Sequence, residues 1–249
     1  MDSIPTLVER EAILDQIANE LKKRLGENII SAVAYGSALC EDFMSLSDYD
    51  VLLVLDNTDI DYLNIVRDVK VFFANQGIGV DLNVHSIAEM PQYRANAFWH
   101  NNRSHYMRLE LDIYGKVLIG KNLFHADSIP PAELELEGVR VISSLVYQAR
   151  KILINRPLNA EERIRMMKFC IYAALYALAM YRRFPKTKID AMKDFHDIYP
   201  DLQDPLFFLK AKISASEDIS DEMVYNAYRF LFKLDQCIFE LYSKNHETH

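Results

Sequence analysis

The sequence predicts an α/β front part with a mixed sheet, residues 1–128, followed by an all-α C-terminal helical bundle, residues 129–249. Three observations predict this. Short apolar, β-branched runs alternate with segments of helical period up to about residue 120. No strand-like alternation follows Pro130-Pro131. The stretch Asp127–Pro131 sits between the two patterns as a polar, proline-containing break. A chain of 249 residues is long enough to bury a core in each part.

The elements follow in order. VEREAILDQIANELKKRL has apolar residues at helical spacing, which predicts a helix over Leu7–Leu25, ended by Gly26. NIISAVAY, Asn28–Tyr35, is short, apolar and β-branched, hence a strand. Gly36-Ser37 breaks it, and a short helix is expected to follow to about Phe43. Asp50–Asp56 is a continuous apolar run between polar residues and reads as a buried strand. Asp59–Asn75 reads as a helix closed by Gln76-Gly77, and Ile78–Ser86 as a strand with one aspartate inside it. Ala88–Arg108 reads as a helix with Pro91 in its first turn, and Leu111–Ile119 as a last strand closed by Gly120. In the back part Glu133–Asn155, Glu161–Tyr181, Ile189–Ile198, Pro205–Ile213 and Asp221–Lys244 all carry helical period. There is no internal repeat and no low-complexity segment.

Composition excludes several classes of function. Half of the residues are hydrophobic and 26% are charged, as in ordinary globular proteins. No apolar run approaches the ~20 residues that a membrane helix needs, so no membrane partner is expected. Three cysteines, far apart and odd in number, argue against a disulfide framework or a cysteine zinc site. The first residues, MDSIPTLVEREAIL, lack the basic start and apolar core of a signal peptide. A cytoplasmic protein is the expectation. The net charge of −8 is concentrated in the front. Residues 1–130 hold 11 Lys and Arg against 19 Asp and Glu, while residues 131–249 hold 17 of each. Such a surface repels a phosphate polymer, so a long nucleic acid is disfavoured, whereas a cationic small molecule or a metal suits it.

The chemistry is carried by YGSALCEDFMSLSDYDVLLVL, Tyr35–Leu55. On a strand, residues i and i+2 share a face, so Asp48 and Asp50 project together at the mouth of an apolar strand. Ser47-Asp48 alone would pass for a turn, but a turn explains neither Asp50 nor Asp81 inside the next apolar strand. Two carboxylates so close stay ionised cheaply when a cation sits between them, and hard oxygen donors favour Mg2+. If the strand holding Asp81 lies beside Asp50–Asp56, the three carboxylates converge. Gly36-Ser37 complements them. Glycine lets a phosphate approach the backbone, and the Ser37 hydroxyl can donate to a phosphate oxygen. Together these parts suit in-line nucleotidyl transfer assisted by two metal ions.

The pattern G-S-x10-D-x-D with a later carboxylate on a third strand resembles the DNA polymerase β-type nucleotidyltransferase superfamily. An α/β front with a helical back further resembles the two-domain aminoglycoside adenylyltransferases of the streptomycin and spectinomycin type. Their helical domain has a stretch similar to PKTKIDAMKDFHDIYPDLQDPL, Pro185–Leu206. The resemblance implies a nucleotidyltransferase domain over 1–128 and a helical substrate-closing domain over 129–249. It implies that Asp48 and Asp50 bind metal, and that Asp81 binds metal or takes the proton from the acceptor hydroxyl. It implies two Mg2+ ions, ATP as co-substrate held by Gly36, Ser37 and Lys188 or Lys186, and a small, cationic, aminoglycoside-type acceptor. Glu110 and the group Glu133, Glu135 and Glu137 remain alternatives for the base. Nucleotidyltransferase antitoxins share the core, so a protein acceptor is the alternative reading; a homodimer is also compatible.

Three further features read as structural. Lys188, apart from the resemblance, is a solvated lysine at a helix start. Arg94, His100 and His105 read as surface or polar-interface residues, although Arg94-x5-His100 has the spacing of an RNase motif of helical toxins. Met166–Tyr181 reads as bundle core.

Overall fold

A computed structural model describes residues 5–40, 47–89, 104–124, 129–155, 157–213 and 219–246. The chain forms two compact units, Met1–Ser128 and Ile129–His249.

In the first unit α1 spans Leu7–Leu25. Thr6 caps it: its Oγ1 accepts from the Glu9 amide at 3.3 Å, while its own amide donates to Glu9 Oε2 at 2.7 Å. Gly26, at φ +56°, ends it. The strands are β1 (Ile29–Tyr35), β2 (Tyr49–Leu55), β3 (Val80–Ser86) and β4 (Lys116–Gly120). They form one mixed sheet in the order β3-β2-β1-β4. β1 runs antiparallel to both β2 and β4, and β2 runs parallel to β3. A parallel pair needs a crossover. Helix α2 (Ile60–Ala74) supplies it, with the Asp59 side chain accepting from the Tyr62 amide at 3.4 Å.

The sheet's period of two separates two faces. Ala32, Ala34, Val51, Leu53, Leu55, Val80 and Leu82 pack with Leu14, Ile17 and Leu21 of α1 and with Val66, Val69 and Phe73 of α2. On the opposite face Val33, Tyr35, Leu52 and Val54 pack with Leu111 and Phe124. The first cluster is the larger of the two. Phe73, which is fully buried, makes an edge-on ring contact with Phe72. Phe73→Ala is expected to destabilise the unit by about 3–5 kcal/mol through lost transfer energy and a residual cavity, measured by urea unfolding.

Two expected elements differ from the structure. After Gly36 the described chain makes one short 3-10 turn, Gly36–Leu39, and the remainder of the expected helix falls outside the described residues. The Ala88–Arg108 helix is a short 3-10 turn, Ile87–Glu89, then residues outside the described set, then α3, Ser104–Ile113. Leu111–Ile113 therefore belongs to a helix, and the last strand begins only at Lys116. The alternation L-E-L-D-I at 109–113 imitates a strand, but burial falls on His105, Arg108, Leu109 and Leu111 while Ile113 is exposed. Those positions share one face of a helix, and packing against β1 decides between the two periods.

The second unit consists, among the described residues, of α4 (Pro131–Ile154), α5 (Ala160–Met180), α6 (Lys188–Ile198), α7 (Leu206–Ile213) and α8 (Asp221–His246). Asn159 opens α5 with a reciprocal cap to Glu162. Met166, Met167, Cys170, Ala173, Ala174 and Leu178 of α5 are buried as bundle core. Phe195 of α6 stacks on Tyr199 at 4.9 Å between centroids and meets Phe230 of α8 at 5.7 Å. No helix of the described residues is long and apolar enough to cross a membrane.

Candidate active site

Strand register assembles the carboxylates. Asp50 of β2 lies opposite Asp81 of β3, and Tyr35 of β1 lies opposite Asp50. Paired residues share a face, so Tyr35, Asp50 and Asp81 form a row across three strands, on the side of the sheet away from α1 and α2. Asn83, two residues beyond Asp81, joins that face and donates from Nδ2 to the Tyr35 hydroxyl at 2.6 Å. Asp48 precedes β2 by one residue and is exposed. Tyr49, between the two aspartates, turns the other way and is 3% exposed in the apolar core.

Two glycines clear room for these carboxylates. A Cβ on Gly79 would stand 2.1 Å from Asp48 Oδ1, so no side chain fits while that carboxylate is in place. Gly36 adopts φ +74°, which favours glycine, and a Cβ there would meet Asp50 Oδ2 at 2.9 Å. The turn that begins at Gly36 thus lies directly against the Asp50 carboxylate. Behind the turn is Arg10, 5% exposed, whose Nη1 donates to the carbonyl oxygens of Ser37 (3.3 Å), Ala38 (3.2 Å) and Cys40.

The charges are partly balanced. Lys70 of α2 donates to Asp81 Oδ1 at 2.9 Å across the β3 edge. Both partners are close to half exposed, so the pair contributes at most about 1 kcal/mol to stability. The Tyr35 hydroxyl is held far above its usual titration range, first by burial and then by the negative charges of Asp50, Glu110 and Asp81. Glu110 is on α3. Among the glutamates considered as a base it is the one in this unit; Glu133, Glu135 and Glu137 belong to α4. Tyr35 should stay protonated well past pH 10. Its pKa is raised on folding, so its stabilising contribution is whole below about pH 10, the unfolded value, and declines as pH rises above it. Ultraviolet titration should show at least two tyrosines, Tyr35 and Tyr199, ionising only with alkaline unfolding, and Tyr35→Phe should remove one of them.

Lys188 is the first residue of α6, in the second unit, where the Thr187 side chain accepts from the Asp190 amide at 3.1 Å. His105 is 5% exposed on α3, so it is a buried residue and not one at the surface. Arg94 and His100 lie outside the described residues. All three cysteines are free thiols. Sequence reasoning missed Arg10, Tyr35, Lys70, Gly79 and Asn83. Of these, Arg10 left a signal, as a cation in register with the apolar stripe of α1.

Among the described residues no group of three or more His, Cys, Asp or Glu could by itself hold a metal ion. Asp48, Asp50 and Asp81, expected to converge, do not form such a group. What is present, an exposed Asp48 and a half-buried Asp50 beside Asp81, is an open set of hard oxygen donors. That fits Mg2+, which takes one or two carboxylates and completes its shell with water and phosphate oxygens.

No protein-family model matches the sequence, and no curated protein matches it. The fold, in contrast, is similar to that of a solved adenyltransferase. One such structure is a spectinomycin adenyltransferase, AAD(9), from Enterococcus faecialis, whose crystal structure contains ATP and spectinomycin. The two agree with a TM-score of 0.61 over 92% of this chain and 99% of that one, at 16% sequence identity.

Proposed function

We propose that the chain transfers AMP from ATP to a hydroxyl of a small, cationic acceptor, releasing pyrophosphate. The observation that supports this best is the in-register pair Asp50 and Asp81, beside a glycine turn packed against the Asp50 carboxylate. The fold shared with an enzyme solved with ATP and spectinomycin supports it further.

In this reading the Gly36-Ser37 turn receives the phosphates, the Ser37 hydroxyl donating to a phosphate oxygen. Asp48 and Asp50 would hold Mg2+, which when bound neutralises charge on the triphosphate and orients it. The acceptor oxygen attacks the α-phosphorus as the bond to the pyrophosphate oxygen breaks. The acceptor's proton passes to a carboxylate, Asp81 or Glu110, and pyrophosphate leaves as the anion. Tyr35 and Asn83 hold the floor of the row as neutral hydrogen-bonding groups, so they add no charge to an already acidic face.

The acidic front half suits a cationic acceptor such as an aminoglycoside or aminocyclitol. The fold likeness spans nearly all of both chains, so the protein-modifying alternative, which rests on the shorter core, gains nothing from it. Pyrophosphate release should be measured with ATP and Mg2+ against a panel of such acceptors. Release that depends on one acceptor class is the expected result. ATP binding without release from any member would remove the antibiotic-type acceptor, and failure to bind ATP at all would remove the enzyme reading.

A further inference from the structure

We propose that Arg10 is a positioning residue for the phosphate-binding turn and so sets the affinity for the triphosphate; this rests on the adenylyl-transfer reading above. The buried stripe of α1 is Arg10, Leu14, Ile17, Ala18, Leu21 and Leu25. Where its period calls for an aliphatic side chain the helix carries a guanidinium. A buried cation is tolerated only when hydrogen-bonded. Here the partners are backbone carbonyls of one turn, at Ser37, Ala38 and Cys40, 27 to 30 residues along the chain.

Two consequences follow for a phosphate. The first is geometric. Arg10 belongs to the α1 side of the sheet, as its charge acting on the buried Tyr49 hydroxyl also indicates, whereas Asp50 and Asp81 occupy the other side. With three carbonyl oxygens turned to the guanidinium, their partial negative charge points away from the carboxylate face, where a phosphate would approach. Ala38, 1% exposed in the same core, anchors the turn from within. The second consequence is electrostatic. A cation fixed behind the turn in a poorly hydrated place offsets the carboxylates that would otherwise repel a triphosphate. Lysine could keep that charge and up to three donors, but on a flexible stem without the planar pre-organisation of the guanidinium.

The test is ATP binding by calorimetry, with Mg2+ present, for the wild type, Arg10→Lys and Arg10→Gln, alongside adenosine, which has no phosphate. Arg10→Gln should weaken ATP binding about ten- to hundredfold, the size of lost charge-assisted hydrogen bonds, and leave adenosine binding unchanged. Arg10→Lys should recover part of the loss. A folded Arg10→Gln protein that binds ATP like the wild type would overturn the proposal, and so would equal losses for ATP and adenosine, which mark a merely structural role. Wild-type protein that does not bind ATP would sink the adenylyl-transfer reading and this inference with it. Should Arg10→Gln not fold, amide exchange in the wild type decides: slow exchange across residues 37–40 without nucleotide supports a preformed turn, and exchange as fast as open chain contradicts it.

Discussion

Replacing Asp50 with asparagine is expected to abolish nucleotide transfer while leaving the protein folded, and at least as stable as before. The substitution keeps the shape of the side chain and removes one negative charge. In the folded protein that charge lies one strand spacing from Asp81 and next to the buried Tyr35 hydroxyl. Removing it relieves repulsion, so the melting temperature should stay constant or rise. Activity should move the opposite way. If Asp50 holds the metal as proposed, its loss should cost more than the ~10–100-fold that outer partners of a metal site cost. Asp56→Asn is the control: that carboxylate follows the last residue of β2, away from the row, and its loss should not affect turnover. Pyrophosphate release and thermal unfolding, measured on the same samples, separate the two effects. Turnover in the Asp50→Asn protein equal to wild type would remove the metal role of this carboxylate. Stability sacrificed for charge density is a mark of a site kept for chemistry.

Gly79→Ala should produce the second largest loss, from a position that touches no substrate in the proposed reaction. The new methyl group would stand 2.1 Å from Asp48 Oδ1. Asp48 is exposed, so its carboxylate can rotate away at little cost to folding. It cannot stay where it is. A misplacement of about 1 Å in a positioned group is enough for a ~100-fold loss of rate. The expected result is a sharp fall in kcat and a higher Mg2+ requirement, with unfolding changed by less than about 1 kcal/mol. An active, Mg2+-indifferent Gly79→Ala enzyme would show that Asp48 does not need its present position. Gly36→Ala differs, because there strain at positive φ adds a folding cost of about 1–2 kcal/mol.

How much of this was legible beforehand depends on the range of the interactions. α1 was readable because its signals are local: the apolar period and the terminal Gly26. The i, i+2 spacing of Asp48 and Asp50 is equally local. That Asp81 would stand beside Asp50 needed the parallel register of β2 and β3, which no local pattern states. Leu109–Ile113 misled because its alternation is that of a strand, and only packing against β1 selected the helix. Arg10 was harder still. A cation within an amphipathic helix reads as the margin of its wet face, and the carbonyls that account for it lie in another element. Gly79 was visible as a glycine, but what it makes room for was not.

The pairing of β3 has a further consequence, for the fidelity of folding. Among the described residues β3 is an edge strand paired with β2, and its register is set by which side chains its buried face accepts. A slip of one residue would turn Asp81 and Asn83 into the apolar layer formed with α1 and α2, and turn Val80 and Leu82 out of it. Burying an unpaired carboxylate there costs far more than the lost ladder bonds. Asp81 therefore acts as a proofreader of its own strand: the shifted alignment is penalised by the same side chain that the correct alignment sets beside Asp50.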